Sequence, residues 1–125
     1  SSFLKARLAG ADLGKTYFED TDFSAADFTG ADLTGASLTR CCLREACLAR
    51  SRARGADFSK ADLTGADMRE MNLMEGSLRK TNLQRADLRN ANLFAVDFSQ
   101  VVLGETRWEG ANLKRTLLSG EIVPP

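Results

Sequence analysis

The chain has 125 residues with 17 basic and 17 acidic side chains, no histidine, and only two prolines, both at its end. This length predicts a single domain over residues 1–125, and the zero net charge argues against nucleic acid or an anionic membrane surface as a bulk electrostatic partner. The sequence also lacks the commonest general base and metal ligand, and no apolar run approaches the roughly 18 residues of a membrane span.

A five-residue repeat runs through the chain without a slip of register. Counted in blocks from Ser1, the third residue is large and apolar in 24 of 25 blocks, the first is alanine in 12, and the second is Asp or Asn in 13. This period suits neither an α-helix, which turns about 100° per residue, nor a strand, which alternates every two residues. The chain must therefore bend once per block. Asp, Asn, Gly and Ser tolerate such bends, and second-position Asp or Asn is the predicted corner residue.

Four bends of about 90° close one square coil in about 20 residues, and stacked coils pair their backbones about 4.8 Å apart. A coil this narrow fills its interior with the large third residues, so the first residues must be small. Hydroxyls at first positions should bond to backbone carbonyls, and this prediction concerns Thr16, Thr81 and Thr116.

Six blocks carry a resemblance to a known family: ADFTG (26–30), ADLTG (31–35), ADFSK (56–60), ADLTG (61–65), ADLRN (86–90) and ANLKR (111–115). On these motifs the whole chain resembles the pentapeptide repeat proteins. The resemblance implies an all-β fold, a right-handed quadrilateral β-helix (a solenoid) of about six coils with four pentapeptides per coil. It is specific for the fold and not for a function.

Charge is neutral in sum but sorted along the chain. Residues 12–32 carry six acids and one lysine, whereas residues 40–54 carry five arginines and one glutamate. If residues 20 apart stack, Arg40, Lys60 and Lys80 form a basic stripe. Two interpretations stay open: a site for an acidic partner, or solvated charges partly offset by nearby acids.

The three cysteines do not form a disulfide framework, which favours a reducing, cytoplasmic location. Cys41 takes a small inward position in place of alanine, and Cys42 and Cys47 take second positions. Two thiols without histidine make a weak metal site, so we expect no metal and no other cofactor. A redox role is the alternative to small filler side chains.

One block breaks the core pattern, because Ala53 stands where a large third residue belongs. Met71, an oversized first residue, falls on the same face in the next coil, and Gly76 follows it in the next block. We predict that the Met71 side chain fills the space left by Ala53, since a thioether adapts to irregular gaps. A local bulge at Ala53 is the alternative.

Apolar residues at outward fourth positions form a candidate partner surface. Met74 and Phe94 are 20 residues apart and should stack, with Arg54 and Lys114 flanking them on the same face. Scattered apolar residues on a protein surface are the alternative explanation.

A second outward set lies near the end of the chain. Val102, Leu117 and Ile122 are predicted to form a cap or a dimer contact, and residues 119–125 are the expected C-terminal cap. The terminal prolines suit a cap because proline offers no donor to a further coil. A homodimer through the C-terminal coils follows as a hypothesis.

A filled tube offers no cleft for an activated nucleophile or an acid–base pair, so no catalytic residue and no enzymatic activity are expected. A rigid rod instead displays side chains at fixed spacing, as solenoid binding surfaces do. The first functional hypothesis is therefore a non-catalytic protein–protein interaction or scaffold module whose partner the sequence does not name.

The resemblance implies two further hypotheses. Some pentapeptide repeat proteins resemble duplex DNA in shape and charge, bind DNA gyrase and protect it from quinolones; they are strongly negative dimers, whereas this chain is neutral with an arginine-rich middle. Residues 91–118 resemble repeat tails on bacterial proteins linked to type VI secretion. In that case the rod is the C-terminal appendage of a larger protein.

Overall fold

The computed structural model describes residues 5–116, so Leu117, Ile122 and the expected cap at 119–125 lie outside the described residues. Residues 5–116 contain no helix and no continuous strand. Their backbone pairs instead through isolated parallel bridges, from Arg7 with Asp27 to Asn92 with Asn112, each joining second-position residues 20 apart. The chain thus lies beside itself after every four blocks.

This pairing divides the surface into four faces. Face 1 starts with block 6–10, face 2 with 11–15, face 3 with 16–20 and face 4 with 21–25, and each face continues every 20 residues. The register runs without an insertion through the described residues, so the predicted stacking of residues 20 apart is confirmed. The right-handed sense and the total of about six coils stay predictions from the resemblance.

The corners lie at the fourth and fifth residues of each block, and the prediction that second-position Asp or Asn forms them is wrong. The amide of Ala26 donates to the carbonyl of Phe23 at 3.0 Å across such a corner, and the same bond recurs from block to block. Every described fifth residue has a positive φ, between 55° and 77°. This left-handed residue turns the chain from one face to the next, and it is not β-branched in any described block, as its geometry requires.

Second-position Asp and Asn recur for a different reason, which the backbone hydrogen bonds reveal. Amides at the second, third and fifth positions donate to backbone carbonyls of neighbouring coils and the first-position amide donates across the corner, so the fourth amide needs another acceptor. The second side chain supplies it: Asp22 Oδ1 accepts from the Ser24 amide at 2.9 Å, and Asn92 Oδ1 accepts from the Phe94 amide at 3.2 Å. The Asp or Asn therefore completes the hydrogen bonding of its own corner.

First and third residues point inward and fill the coils. The third residues from Phe23 to Phe98 are fully buried, whereas those of the end coils, such as Leu8 and Leu103, are partly buried. First-position hydroxyls bond to carbonyls as predicted, with Thr81 Oγ1 donating to the Phe58 carbonyl at 2.8 Å. Thr16 and Thr116 also donate, to the carbonyls of Gly14 and Leu113.

Ala53 and Met71 are both fully buried in one core cluster, while the filling of the Ala53 space by Met71 stays a prediction. The packing around position 76 explains why glycine stands there. A Cβ at this position would lie 2.6 Å from Leu73 Cδ1 and 2.7 Å from the Ala56 carbonyl oxygen. Glycine at 76 thus makes room for Leu73 at an otherwise alanine-like first position.

Candidate functional site

Because the first and third residues fill the interior, chemistry on this fold is displayed by the second, fourth and fifth residues. Every charged side chain among residues 5–116 is at least partly exposed. Residues 5–116 hold no cluster of three or more cysteine or carboxylate side chains placed to bind a metal. The same residues include no helix long and apolar enough to cross a membrane. The candidate site is therefore an outer surface.

The predicted stack on face 2 is present. Hydrogen bonds of 2.8–3.0 Å from fifth-position amides reach the carbonyls of Arg54, Met74, Phe94 and Lys114 in successive coils, which places these four in one column. Met74 and Phe94, here called the apolar column, are half-buried and not as open as the sequence suggested. Side chains stacked about 4.8 Å apart cover one another's flanks.

A ladder of asparagines runs beside the apolar column. Asn72, Asn92 and Asn112 occupy the second positions of the same three blocks as Met74, Phe94 and Lys114, and we call them the amide ladder. Their Oδ1 atoms accept the fourth-position amides at 3.1–3.2 Å, which fixes the orientation of each amide. In the first two coils of this face Asp12 and Asp32 hold the same position.

Sequence reasoning missed this ladder, although its signal was available. Three asparagines at spacings of 20 residues replace the aspartates of the same face. An asparagine keeps the acceptor that the corner needs but removes the negative charge. The second positions beside Met74 and Phe94 are therefore polar and uncharged.

The charges that flank the apolar column differ in their pairing. Arg54 is held by Glu75, whose Oε1 lies 3.0 Å from an Nη of the guanidinium. Lys114 has no carboxylate within 4.0 Å among residues 5–116. Of the two basic residues predicted to flank this surface, only Lys114 is thus free for a partner's charge.

The basic stripe is divided as well. Arg40 donates from Nε to Asp20 at 3.0 Å and from Nη2 to Glu19 at 3.3 Å, and its hydrogen bond lowers the pKa of Asp20. For Arg40 the structure favours the second interpretation, a charge offset by nearby acids, and its role toward a partner stays a prediction. Lys60 and Lys80 form no ion pair within the described part of the chain.

Face 1 carries two stacked arginine–aspartate pairs. Arg69 contacts Asp67 at 2.8 Å and Arg89 contacts Asp87 at 2.7 Å, each through more than one nitrogen. The hydrogen bonds from Arg69 and Arg89 lower the pKa values of Asp67 and Asp87. In each pair the arginine and the aspartate neutralise one another.

Acid should weaken the stack, because hydrogen bonds from Ser24, Thr29 and Thr34 lower the pKa values of Asp22, Asp27 and Asp32 in the folded state. The unfolded chain then binds protons more readily, so stability is complete above the ordinary aspartate pKa of about 3.9 and is lost as the pH falls below it. We expect the melting temperature, followed by circular dichroism, to drop between about pH 4 and pH 2.

The matched control replaces these three aspartates with asparagine, which the chain itself uses at equivalent positions. Asparagine retains the acceptor for the fourth amide but does not titrate. The variant should lose part of the acid-induced drop. An unchanged drop in the triple variant would show that these carboxylates do not cause it.

The cysteines occupy the predicted positions. Burial raises the pKa of the Cys41 thiol, which donates to the carbonyl of Phe18. Cys42 Sγ lies 3.1 Å from Ser24 Oγ, and Cys47 Sγ lies 3.1 Å from Thr29 Oγ1. All three are free thiols that lie among polar or backbone neighbours.

Two large apolar side chains are strongly exposed among the described residues. Val102 is 48% exposed at a second position of face 4, while its predicted neighbours Leu117 and Ile122 lie outside the described residues. Tyr17 is 80% exposed at a second position of face 3 and was not singled out from the sequence. The sequence feature that could have identified Tyr17 is an aromatic residue at a position usually held by Asp or Asn.

Comparisons with known proteins agree with this architecture. The family model "Pentapeptide repeats" matches residues 1–40, 41–79 and 77–93, with eight copies. The chain is similar to the pentapeptide repeat protein Rfr23 from the cyanobacterium Cyanothece 51142, with 25% identity, a TM-score of 0.87, and coverage of 90% of this chain and 91% of that one.

It is also similar in fold to QnrB1, described as a plasmid-mediated fluoroquinolone resistance protein. That match has 17% identity and a TM-score of 0.69, and it covers 92% of this chain and 68% of that one. A search of curated protein sequences gave no significant match.

Proposed function

The chain belongs to the pentapeptide repeat family, and from this premise we propose that it is a non-catalytic protein–protein interaction module with a rigid rod as its scaffold. The rod is further proposed to have the right-handed quadrilateral form that the resemblance implies. Its binding surface is face 2, where the apolar column adjoins the amide ladder. Fold alone assigns no function, so the proposal depends on this surface.

The observation that carries the proposal is the loss of charge beside the apolar column. Asn72 and Asn92 stand at the second positions of the two blocks that carry Met74 and Phe94, where the first two coils of this face have aspartate, and Asn112 does the same in the block of Lys114. Covering an aspartate with a partner removes water from a charge, whereas covering an asparagine amide costs less. Protein interfaces have cores that are depleted of charge and enriched in aromatic residues and methionine.

The geometry of the amide ladder also favours recognition of a polar chain. Each Oδ1 is held by a backbone amide, so each Nδ2 group is oriented, and Asn112 Nδ2 lies 3.4 Å from Asn92 Oδ1. Oriented amide donors beside two half-buried apolar side chains combine hydrogen bonding with apolar contact. Little side-chain freedom is lost when a partner binds such a surface.

The experiment compares partner capture by wild-type protein with capture by the Met74→Ser/Phe94→Ser variant. A protein captured by wild type should be lost from the variant, because the variant removes both members of the apolar column. The melting temperature should change little, since both side chains lie outside the core cluster.

The matched control is Tyr17→Ser/Val102→Ser, which removes the two strongly exposed apolar side chains from faces 3 and 4. It should retain the partner. Equal capture by all three proteins would refute the assignment of face 2. The gyrase-binding and secretion-appendage hypotheses stay predictions, because the likeness to QnrB1 at 17% identity is one of fold.

A further inference from the structure

We propose that a second surface, the corner between faces 3 and 4, binds a short acidic protein segment. This basic corner consists of Lys60, Arg79 and Lys80. The inference rests on the proposed binding function and adds that one of the ligands is acidic. It uses residues separate from the apolar column on face 2.

The three cations adjoin one another in successive coils. The Lys60 amide donates to the Arg79 carbonyl at 2.8 Å, which places the two residues side by side across the stack. Lys60 and Lys80 hold the left-handed fifth position, with φ values of 62° and 60°. One fixed corner therefore places the backbones of three cationic residues within about 5 Å along the rod axis.

This corner brings together three cations that form no ion pair among residues 5–116, whereas many arginines elsewhere on the rod are paired. Seven arginines form ion pairs with carboxylates of the same coil or of a coil one or two steps away: Arg40, Arg44, Arg52, Arg54, Arg69, Arg85 and Arg89. Within residues 5–116 no carboxylate lies within 4.0 Å of the nitrogens of Lys60, Arg79 or Lys80.

Like charges stacked in register repel one another and lower stability. The chain bears this repulsion here without a carboxylate of residues 5–116 at ion-pair distance. A bound carboxylate would remove it, and the planar Arg79 guanidinium offers two parallel donors that match a carboxylate.

The surroundings favour a short acidic segment over a long polyanion. Asp57 and Asp97 lie on face 3 beside the corner, and Glu19 and Asp20 lie further along the same edge. A nucleic acid presents a negative charge every few ångströms and would meet these acids, on a chain of zero net charge. A peptide with two or three carboxylates can contact these three cations without reaching the neighbouring acids.

The test measures fluorescence anisotropy of a labelled glutamate-rich peptide of about ten residues, against wild type and the Lys60→Gln/Arg79→Gln/Lys80→Gln variant. The variant should bind at least about tenfold more weakly, and wild-type binding should weaken as salt rises from about 50 to about 300 mM. A peptide with glutamine in place of glutamate should not bind. The variant should melt at the wild-type temperature or above it, because a repulsion has been removed.

The matched control, Arg7→Gln/Arg50→Gln/Arg107→Gln, makes the same change in net charge on face 1 with arginines that also form no ion pair among the described residues. It should keep the affinity for the peptide. Equal losses in both variants, no binding by wild type, or binding of single-stranded DNA in preference to the peptide would overturn the proposal. None of those results would change the capture of a partner through the apolar column. Failure of this proposal can therefore be distinguished from failure of the proposed function.

Discussion

Met71→Ala is expected to lower the free energy of unfolding by about 2–5 kcal/mol. The Met71 side chain is fully buried in the core cluster although it occupies a first position, where alanine is the usual residue. Ala53, also fully buried, leaves a third position of the same face underfilled. Removing the thioether side chain would leave a cavity that a rigid stack cannot close, and denaturant unfolding followed by circular dichroism measures the loss.

The control for Met71 is the swap Ala53→Leu/Met71→Ala, which restores the ordinary pattern of small first and large third residues. Ala53→Leu alone should overpack the core and cost about 1–3 kcal/mol. The double variant should be more stable than the sum of the two single effects predicts, since each change makes room for the other. Strictly additive losses would refute the compensation between positions 53 and 71.

Gly76→Ala is expected to lower the free energy of unfolding by about 1–3 kcal/mol, although alanine is the commonest residue at first positions. The new Cβ would lie 2.7 Å from the Ala56 carbonyl oxygen, which the stack holds in place, and 2.6 Å from Leu73 Cδ1. Elsewhere a glycine-to-alanine change stabilises a protein by restricting the unfolded chain. Denaturant unfolding should therefore show a loss of stability for Gly76→Ala, where a glycine-to-alanine change usually gives a gain.

Gly14→Ala is the matched control for Gly76, because a Cβ there would be no closer than 3.4 Å to any atom beyond its chain neighbours. This variant should be close to neutral. Leu73→Ala/Gly76→Ala should cost less than the sum of the two single changes, since one of the two clashes disappears. A neutral Gly76→Ala would contradict the described packing of Leu73.

The stacking could be predicted from the sequence because it follows from one rule applied to every block. Large third residues at a five-residue period must share an axis, and the bridges from Arg7 with Asp27 to Asn92 with Asn112 confirm the resulting spacing of 20. The bonding of first-position hydroxyls followed in the same way. Buried groups need partners, and the only acceptors near an inward hydroxyl are carbonyls.

The corners and the ion pairs could not be predicted in this way. Asp and Asn suit bends, but the residue that bends here is the left-handed fifth one, which is glycine in only some of the blocks. The pairing of Arg40 with Asp20 and Glu19 depends on which long side chain reaches which neighbour. The amide ladder required comparison of second positions face by face and not a count along the chain.

The central claim, that face 2 binds a protein partner through Met74 and Phe94, is tested most directly by the dissociation constant of the first partner captured by wild type. Titration of that partner, isolated and identified, should show at least about a tenfold loss of affinity for Met74→Ser/Phe94→Ser. The Tyr17→Ser/Val102→Ser control should bind like wild type. Equal dissociation constants for wild type and the apolar-column variant would contradict the account.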